Sequence, residues 1–226
     1  MTSIVMICRD RYKLLKQAVD SLRAHTWAGD YNIVFVLDPG FDFRVSNLLM
    51  RTCEEMPGRA QLITLNTSDH VLARAKNIGV EWSRQCWGET DWLYLSDSDV
   101  WFAEGWLEKL TEFAAVGEKD DFRLWGGQIH PFHRVDPVGD CAVLDGPSWL
   151  MRWETWNTGQ LARDCAPGPC QSEEYPFCAT LRKRGGRIGV IHPHVVVHTG
   201  LTQTDGRDAP GRDARLAMIP QGVLAE

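Results

Sequence analysis

Two aspartates two residues apart close an apolar run in Trp92-Leu-Tyr-Leu-Ser-Asp97-Ser98-Asp99. Carboxylates at that spacing, just past a buried strand, can face one hard cation, and Mg²⁺ characteristically takes one or two protein carboxylates with phosphate oxygens completing its shell. A solvated turn, with Asp97 capping the next helix, has the same local pattern. Position decides between them, because the ligand crevice of an open α/β sheet lies at the carboxyl ends of its strands. Val195-Val-Val-His198-Thr-Gly200 ends a second apolar run on histidine. Alone, such a histidine is a structural hydrogen-bonding group, as His192 and His194 around Pro193 are read. Beside the aspartates its imidazole would complete a mixed N/O set that suits Mn²⁺ as well as Mg²⁺.

Gln171-Ser-Glu173-Glu174-Tyr175 opens a helix after the breaker Cys165-Ala-Pro-Gly-Pro-Cys170. Acidic residues in a first turn complement the helix dipole. A carboxylate within hydrogen-bond reach of an incoming hydroxyl can instead act as general base, and Glu174 is the first choice for that role, with Glu173 second. Ten tryptophans are many for this length, and Trp101, Trp149, Trp153 and Trp156 fall around the same segments. Flat aromatic faces suit a sugar or a base, although large rings more commonly fill a core. Asp145-Gly-Pro-Ser148 predicts a turn at Trp149, which makes it the foremost acceptor-binding residue, followed by Trp101.

The elements that position these residues follow from periodicity. Ile4–Cys8 is a strand, followed by the charged turn Arg9-Asp10-Arg11 and a helix on Leu14, Leu15, Ala18, Val19 and Leu22 that reaches about His25. Asn32–Leu37 is a continuous, β-branched strand ending at Asp38-Pro-Gly, as expected for a strand covered on both faces. A helix over Val45–Met56, a strand over Gln61–Leu65, a helix over Val71–Cys86 with Asp69 as a possible cap, and a strand over Asp91–Leu95 follow. Three strand–helix units feeding a fourth strand predict a mainly parallel sheet with right-handed crossovers. Beyond Leu95 the pattern predicts a helix over Glu104–Ala115, strands and loops over Phe122–His130 and Ala142–Leu144, and a Trp-rich turn at Trp149, Trp153 and Trp156. A helix over Glu173–Arg184 and strands over Arg187–Ile191 and Val195–His198 complete a mixed C-terminal part. Residues 201–226 lack periodicity and read as a loose tail or active-site flap.

The chain of 226 residues has 44% hydrophobic and 24% charged side chains, the range of a packed globular protein rather than a disordered or coiled-coil one. Thirty acidic against 24 basic residues give a net charge of −6, which argues against a general nucleic-acid coat protein. The apolar runs are strand-sized, well short of the roughly 20 residues of a membrane span. Met-Thr-Ser-Ile-Val enters a strand directly without a basic leader, so the expected location is cytoplasmic, without stable membrane insertion. Seven scattered cysteines, with no Cys-x-x-Cys pair, predict reduced thiols and no structural zinc.

Taken in order, these segments resemble a family 2 glycosyltransferase of the GT-A fold over about Ser3 to Gly200. Ile4-Val-Met-Ile-Cys-Arg-Asp-Arg11 with Leu14, Leu15 and Ala18 resembles the family's opening strand and helix, and Val36-Leu-Asp38 its second strand. Ala75-Lys76-Asn77-Ile-Gly79 is similar to an Ala-Arg-Asn-x-Gly segment, and Leu95-Ser-Asp97-Ser-Asp99 to its Asp-x-Asp region. Ser172-Glu173-Glu174 resembles the helix of the catalytic base, and Val197-His198-Thr-Gly200 the late metal-binding histidine. Lys76 where arginine is usual, Pro39 in the common Asp-Asp-Gly-Ser turn, and Glu at the base position are departures. The lack of Gln-x-x-Arg-Trp argues against a processive synthase.

The resemblance implies an α/β, single-domain GT-A (Rossmann-like) fold over residues 1–200, with helices on both faces of a mainly parallel sheet. Its nucleotide-binding half would be residues 1–100 and its acceptor-binding half residues 101–200. It implies a metal-dependent, inverting, hexosyltransferase-like enzyme using Mn²⁺ or Mg²⁺ and a nucleotide-sugar donor, with a UDP-sugar favoured. Asp97, Asp99 and His198 would bind the metal, and Asp38, Lys76, Asn77 and Asp97 the nucleotide. The acceptor hydroxyl is open among a small molecule, a glycan precursor, a protein and a hydroxylated DNA base. A sugar-phosphate nucleotidyltransferase is an alternative, although Cys8-Arg-Asp-Arg-Tyr12 has no glycine-rich phosphate loop. A non-catalytic carbohydrate-binding protein is another, explaining the tryptophans but not the acidic helix.

Overall fold

The computed structural model of the chain describes residues 1–27, 30–38, 42–66, 72–127, 148–159, 174–191 and 195–199. Strand β1 (Thr2–Cys8) leads into helix α1 (Tyr12–His25), β2 (Tyr31–Leu37) into α2 (Phe43–Glu55), and β3 (Ala60–Thr64) into α3 (Leu72–Trp87). These are followed by β4 (Trp92–Asp97), β5 (Val100–Phe102), α4 (Trp106–Gly117), β6 (Phe122–Gly126), β7 (Ser148–Met151), α5 (Trp153–Gly159), α6 (Glu174–Lys183), β8 (Arg187–Val190) and β9 (Val196–His198). Seven strands form one sheet in the order β3-β2-β1-β4-β7-β6-β8, and β5 and β9 form a separate antiparallel pair. Within the large sheet β3, β2, β1 and β4 pair in parallel, β7 runs against both β4 and β6, and β6 and β8 are parallel again. The expected mainly parallel sheet, mixed toward its C-terminal part, is therefore present.

Every residue of β2 is buried, which explains its continuous apolar sequence: helices cover both faces. Alternate side chains divide the core in two. Ile4, Met6 and Cys8 of β1 pack with Leu15, Val19 and Leu22 of α1, Val45 and Leu49 of α2, and Trp106 and Leu110 of α4. Val5 of β1 and Val34 and Val36 of β2 face the other way, onto Ala73, Ala75 and Val80 of α3 with Trp149, Trp153, Trp156 and Phe177. The approach of α3 depends on Gly79, where a Cβ would lie 2.4 Å from Val5 Cγ1 and 2.7 Å from Val36 Cγ2. Asp42 caps α2, its carboxylate accepting from the Arg44 backbone N–H at 2.9 Å.

The expected Trp-rich turn is instead a strand and a helix. Trp149 lies in β7, and Trp153 and Trp156 in α5. Strand β5, immediately after the aspartates, is an element that periodicity over so few residues does not reveal. The expected cap Asp69, the strand over Ala142–Leu144 and the tail over 201–226 lie outside the described residues.

Candidate active site

The site grows from the carboxyl ends of β1, β2 and β4, which lie side by side in parallel register: Cys8 opposite Leu37, and Ile7 opposite Asp97. Asp38 follows β2, half-buried, with its N–H donating to the Cys8 carbonyl at 2.9 Å. Asp97 ends β4, half-buried, and Asp99 lies one residue before β5. Burial and then the neighbouring Asp97 charge push the Cys8 thiol far up, so it stays protonated and is no nucleophile at neutral pH.

The β5–β9 pair does the work that the sequence could only make conditional. Val100 is opposite His198 in the antiparallel register, which carries the late histidine beside the aspartate loop. His198 Nε2 lies 3.1 Å from Asp99 Oδ1. Thr199 fixes the approach, its backbone N–H and its hydroxyl each donating to the Asp99 carbonyl at 2.8 Å. The other carboxylate oxygen, Oδ2, accepts from an Arg11 guanidinium N–H at 2.6 Å. Burial pushes the Asp99 carboxyl up, but the hydrogen bond and charge of His198 and the charge of Arg11 outweigh it and hold the group below the usual carboxylate range.

Arg11 is the residue that reading the sequence missed, because a basic residue in a turn ordinarily reads as a solvated charge. The same turn places Arg9 Nε 3.7 Å from Asp38 Oδ2. Thus the two arginines of one turn each reach an acid at the end of a neighbouring strand.

An Asp carboxylate and a His imidazole converging from two strands form a donor set suited to Mn²⁺ or Mg²⁺. Asp99 and His198 would supply two ligands, leaving positions for phosphate oxygens and water as such cations prefer. Among the described residues no group of three or more His, Cys, Asp or Glu side chains converges, so Asp97 does not complete a three-residue cluster with them.

The remaining expected residues separate. Lys76 is fully buried on α3, with Nζ 5.2 Å from the centroid of the Trp149 ring, so its ammonium faces an aromatic core rather than an open cleft. Asn77 is half-buried on the same helix. Trp149, expected on a turn as an acceptor platform, is fully buried and stacked on Phe177 at 4.9 Å between ring centroids. It offers no open face for an acceptor. Trp101, in β5, is 8% exposed and packs edge-on against His25 at 5.7 Å. Glu174 begins α6, and Glu173 lies outside the described residues. A cavity of about 850 Å³ bordered by Asp91, Glu118, Arg152 and Arg184 lies at the opposite, amino ends of β4 and β8 and forms no part of this site.

An open, mostly parallel sheet with an acid–imidazole pair past its central strands defines an α/β domain of the GT-A type. The chain belongs to glycosyl transferase family 2, whose family model matches residues 3–126. No curated protein matches it by sequence. Its fold is similar to that of GalNAc-T7, solved with UDP, GalNAc and Mn²⁺, at a TM-score of 0.70 and 14% identity over 88% of this chain and 43% of that one. It is also similar to the mannosyltransferase PcManGT from Pyrobaculum calidifontis, solved with GDP-Man and Mn²⁺, at a TM-score of 0.70 and 14% identity over 90% of this chain and 58% of that one. A third similar structure is S. aureus TarS 1-349, with a TM-score of 0.62 and 14% identity over 86% of this chain and 59% of that one. The chain thus spans only part of the length of each. Among the described residues no helix is long and apolar enough to cross a membrane.

Proposed function

We propose that the chain transfers a sugar from a nucleotide diphosphate donor to an acceptor hydroxyl, with inversion at the anomeric carbon. The observation that carries this reading is the 3.1 Å approach of His198 to Asp99 at the carboxyl ends of the sheet in a family 2 domain. The UDP and GDP-Man bound with Mn²⁺ in the structural neighbours support a nucleotide-sugar donor. A Mn²⁺ or Mg²⁺ ion held by Asp99 and His198 would supply Lewis-acid neutralisation of the departing diphosphate.

The chain's own residues do the rest. Thr199 holds the Asp99 backbone so that the carboxylate stays aimed at His198. Asp38 and Asp97, at the ends of the two strands that flank β1, face the nucleoside and its ribose, and Asn77 is the remaining nucleotide contact. Glu174, with Glu173 as second choice, takes the proton from the acceptor hydroxyl. The hydroxyl oxygen forms its bond to the anomeric carbon from the side opposite the diphosphate, while the old carbon–oxygen bond breaks and its electron pair leaves on the phosphate oxygen. The acceptor hydroxyl belongs to a small molecule, a glycan precursor, a protein or a hydroxylated base.

The test is a panel of UDP- and GDP-sugars with Mn²⁺, scored for nucleoside diphosphate release. At least one donor is expected to turn over, with Asp99→Asn reducing release at least about 100-fold, the scale of losing one strong electrostatic contact to the reacting group. Undiminished release in the folded variant would remove Asp99 from the reaction. Pyrophosphate release from a sugar 1-phosphate and a nucleoside triphosphate would favour nucleotidyl transfer instead.

A further inference from the structure

We infer that Arg11 is a built-in counter-ion of the Asp99 carboxylate that weakens the hold of this site on a divalent ion. This rests on the reading of Asp99 and His198 as cation ligands. Asp99 is 10% exposed at its side chain, and both of its oxygens are engaged, Oδ2 by Arg11 at 2.6 Å and Oδ1 by His198 at 3.1 Å. A buried carboxylate needs compensating charge, and Arg11 is the group that brings a permanent positive one.

The same contact opposes a dication. A guanidinium at hydrogen-bond distance from Oδ2 lies within a few ångströms of any cation bonded to that carboxylate, where like charges repel even at a protein's effective dielectric. The Arg11 side chain is 36% exposed and extends from the turn just before α1. Among the described residues Asp99 is its recorded ion-pair partner. Arg9 on Asp38 repeats the arrangement past β2, on the other side of β1, so this one turn places a positive charge by two acids of the cleft.

Mn²⁺ alone, titrated calorimetrically into the nucleotide-free protein, tests this without any turnover. Arg11→Met keeps an unbranched apolar stem and removes the charge. It is expected to bind Mn²⁺ about tenfold more tightly than the wild type, since the ion then meets an uncompensated carboxylate. Arg9→Met, whose partner is Asp38, is expected to stay within about twofold. Unchanged or weaker Mn²⁺ binding by folded Arg11→Met overturns the inference.

Failure of the metal reading looks different: wild type, Arg11→Met and Asp99→Asn would then all fail to take up Mn²⁺, and the inference would go with it.

Discussion

Gly79→Ala sets two known effects against each other at the most crowded contact between α3 and the sheet. In a helix interior the change gains about 1 kcal/mol of propensity. Against it, the new methyl would sit 2.4 Å from Val5 Cγ1 and 2.7 Å from Val36 Cγ2, where ordinary contact begins at 3.4 Å, so helix and strands must part by about 1 Å. Neither valine can turn away easily, because each is β-branched, fully buried and fixed in a strand paired on both sides. Overpacking of a dense core costs about 1–3 kcal/mol, and two rigid neighbours put this case in the upper part of that range. The net loss is about 1–2 kcal/mol, or a melting temperature lower by about 2–8 °C for a chain of this size. Thermal denaturation followed by circular dichroism measures it, and Val5→Ala should couple to it, the double variant losing at least about 0.5 kcal/mol less than the sum of the singles. A Gly79→Ala protein melting at or above the wild type, with additive losses, would refute the packing argument and leave the glycine unexplained.

Two further outcomes follow from burial and charge. Trp149→Ala removes a fully buried ring stacked on Phe177 and should cost about 3–5 kcal/mol; a melting temperature within a degree or two of wild type would contradict its place in the core. Asp99 has a folded carboxyl pKa below its unfolded value, so its pairing contributes stability above about pH 4 that is lost as pH falls through the folded value. Asp99→Asn should therefore lose melting temperature less steeply than wild type below about pH 4, and superimposable acid profiles would show that the pairing contributes nothing.

The first half of the fold was legible because each strand from β1 to β4 is a short apolar run and each intervening helix carries a clear 3.6-residue stripe. Leu15, Ala18, Val19 and Leu22 mark the buried face of α1 in the sequence just as they do in the structure. The second half was less so. β7 pairs with β4 from more than fifty residues away, and its four residues after Pro147 carry no signal separating a strand from a turn. Trp149 was consequently assigned to a surface that it does not occupy. Strand β5 is three residues long, and only its pairing with β9 brings His198 to Asp99, so that meeting is a tertiary fact. Residue type pointed to Asp99 and His198 as ligands, whereas nothing in Arg9-Asp10-Arg11 distinguishes a solvated turn from one whose arginines reach back into the cleft. Lys76 shows the opposite limit: a lysine in a nucleotide-binding segment reads as a phosphate contact until its helix is seen to press it onto an aromatic ring.

The account depends most on Asp99 and His198 gripping one ion, and a double-variant cycle of Mn²⁺ affinity measures this directly. Calorimetric titration of wild type, Asp99→Asn, His198→Ala and the double variant, all at neutral pH and with matched folding by circular dichroism, is the measurement. If both side chains hold the same ion, each single change should weaken binding at least about tenfold and the double variant should be little worse than the weaker single, as expected for groups in direct contact. Unchanged affinity in either single variant would mean that the two groups do not share a cation.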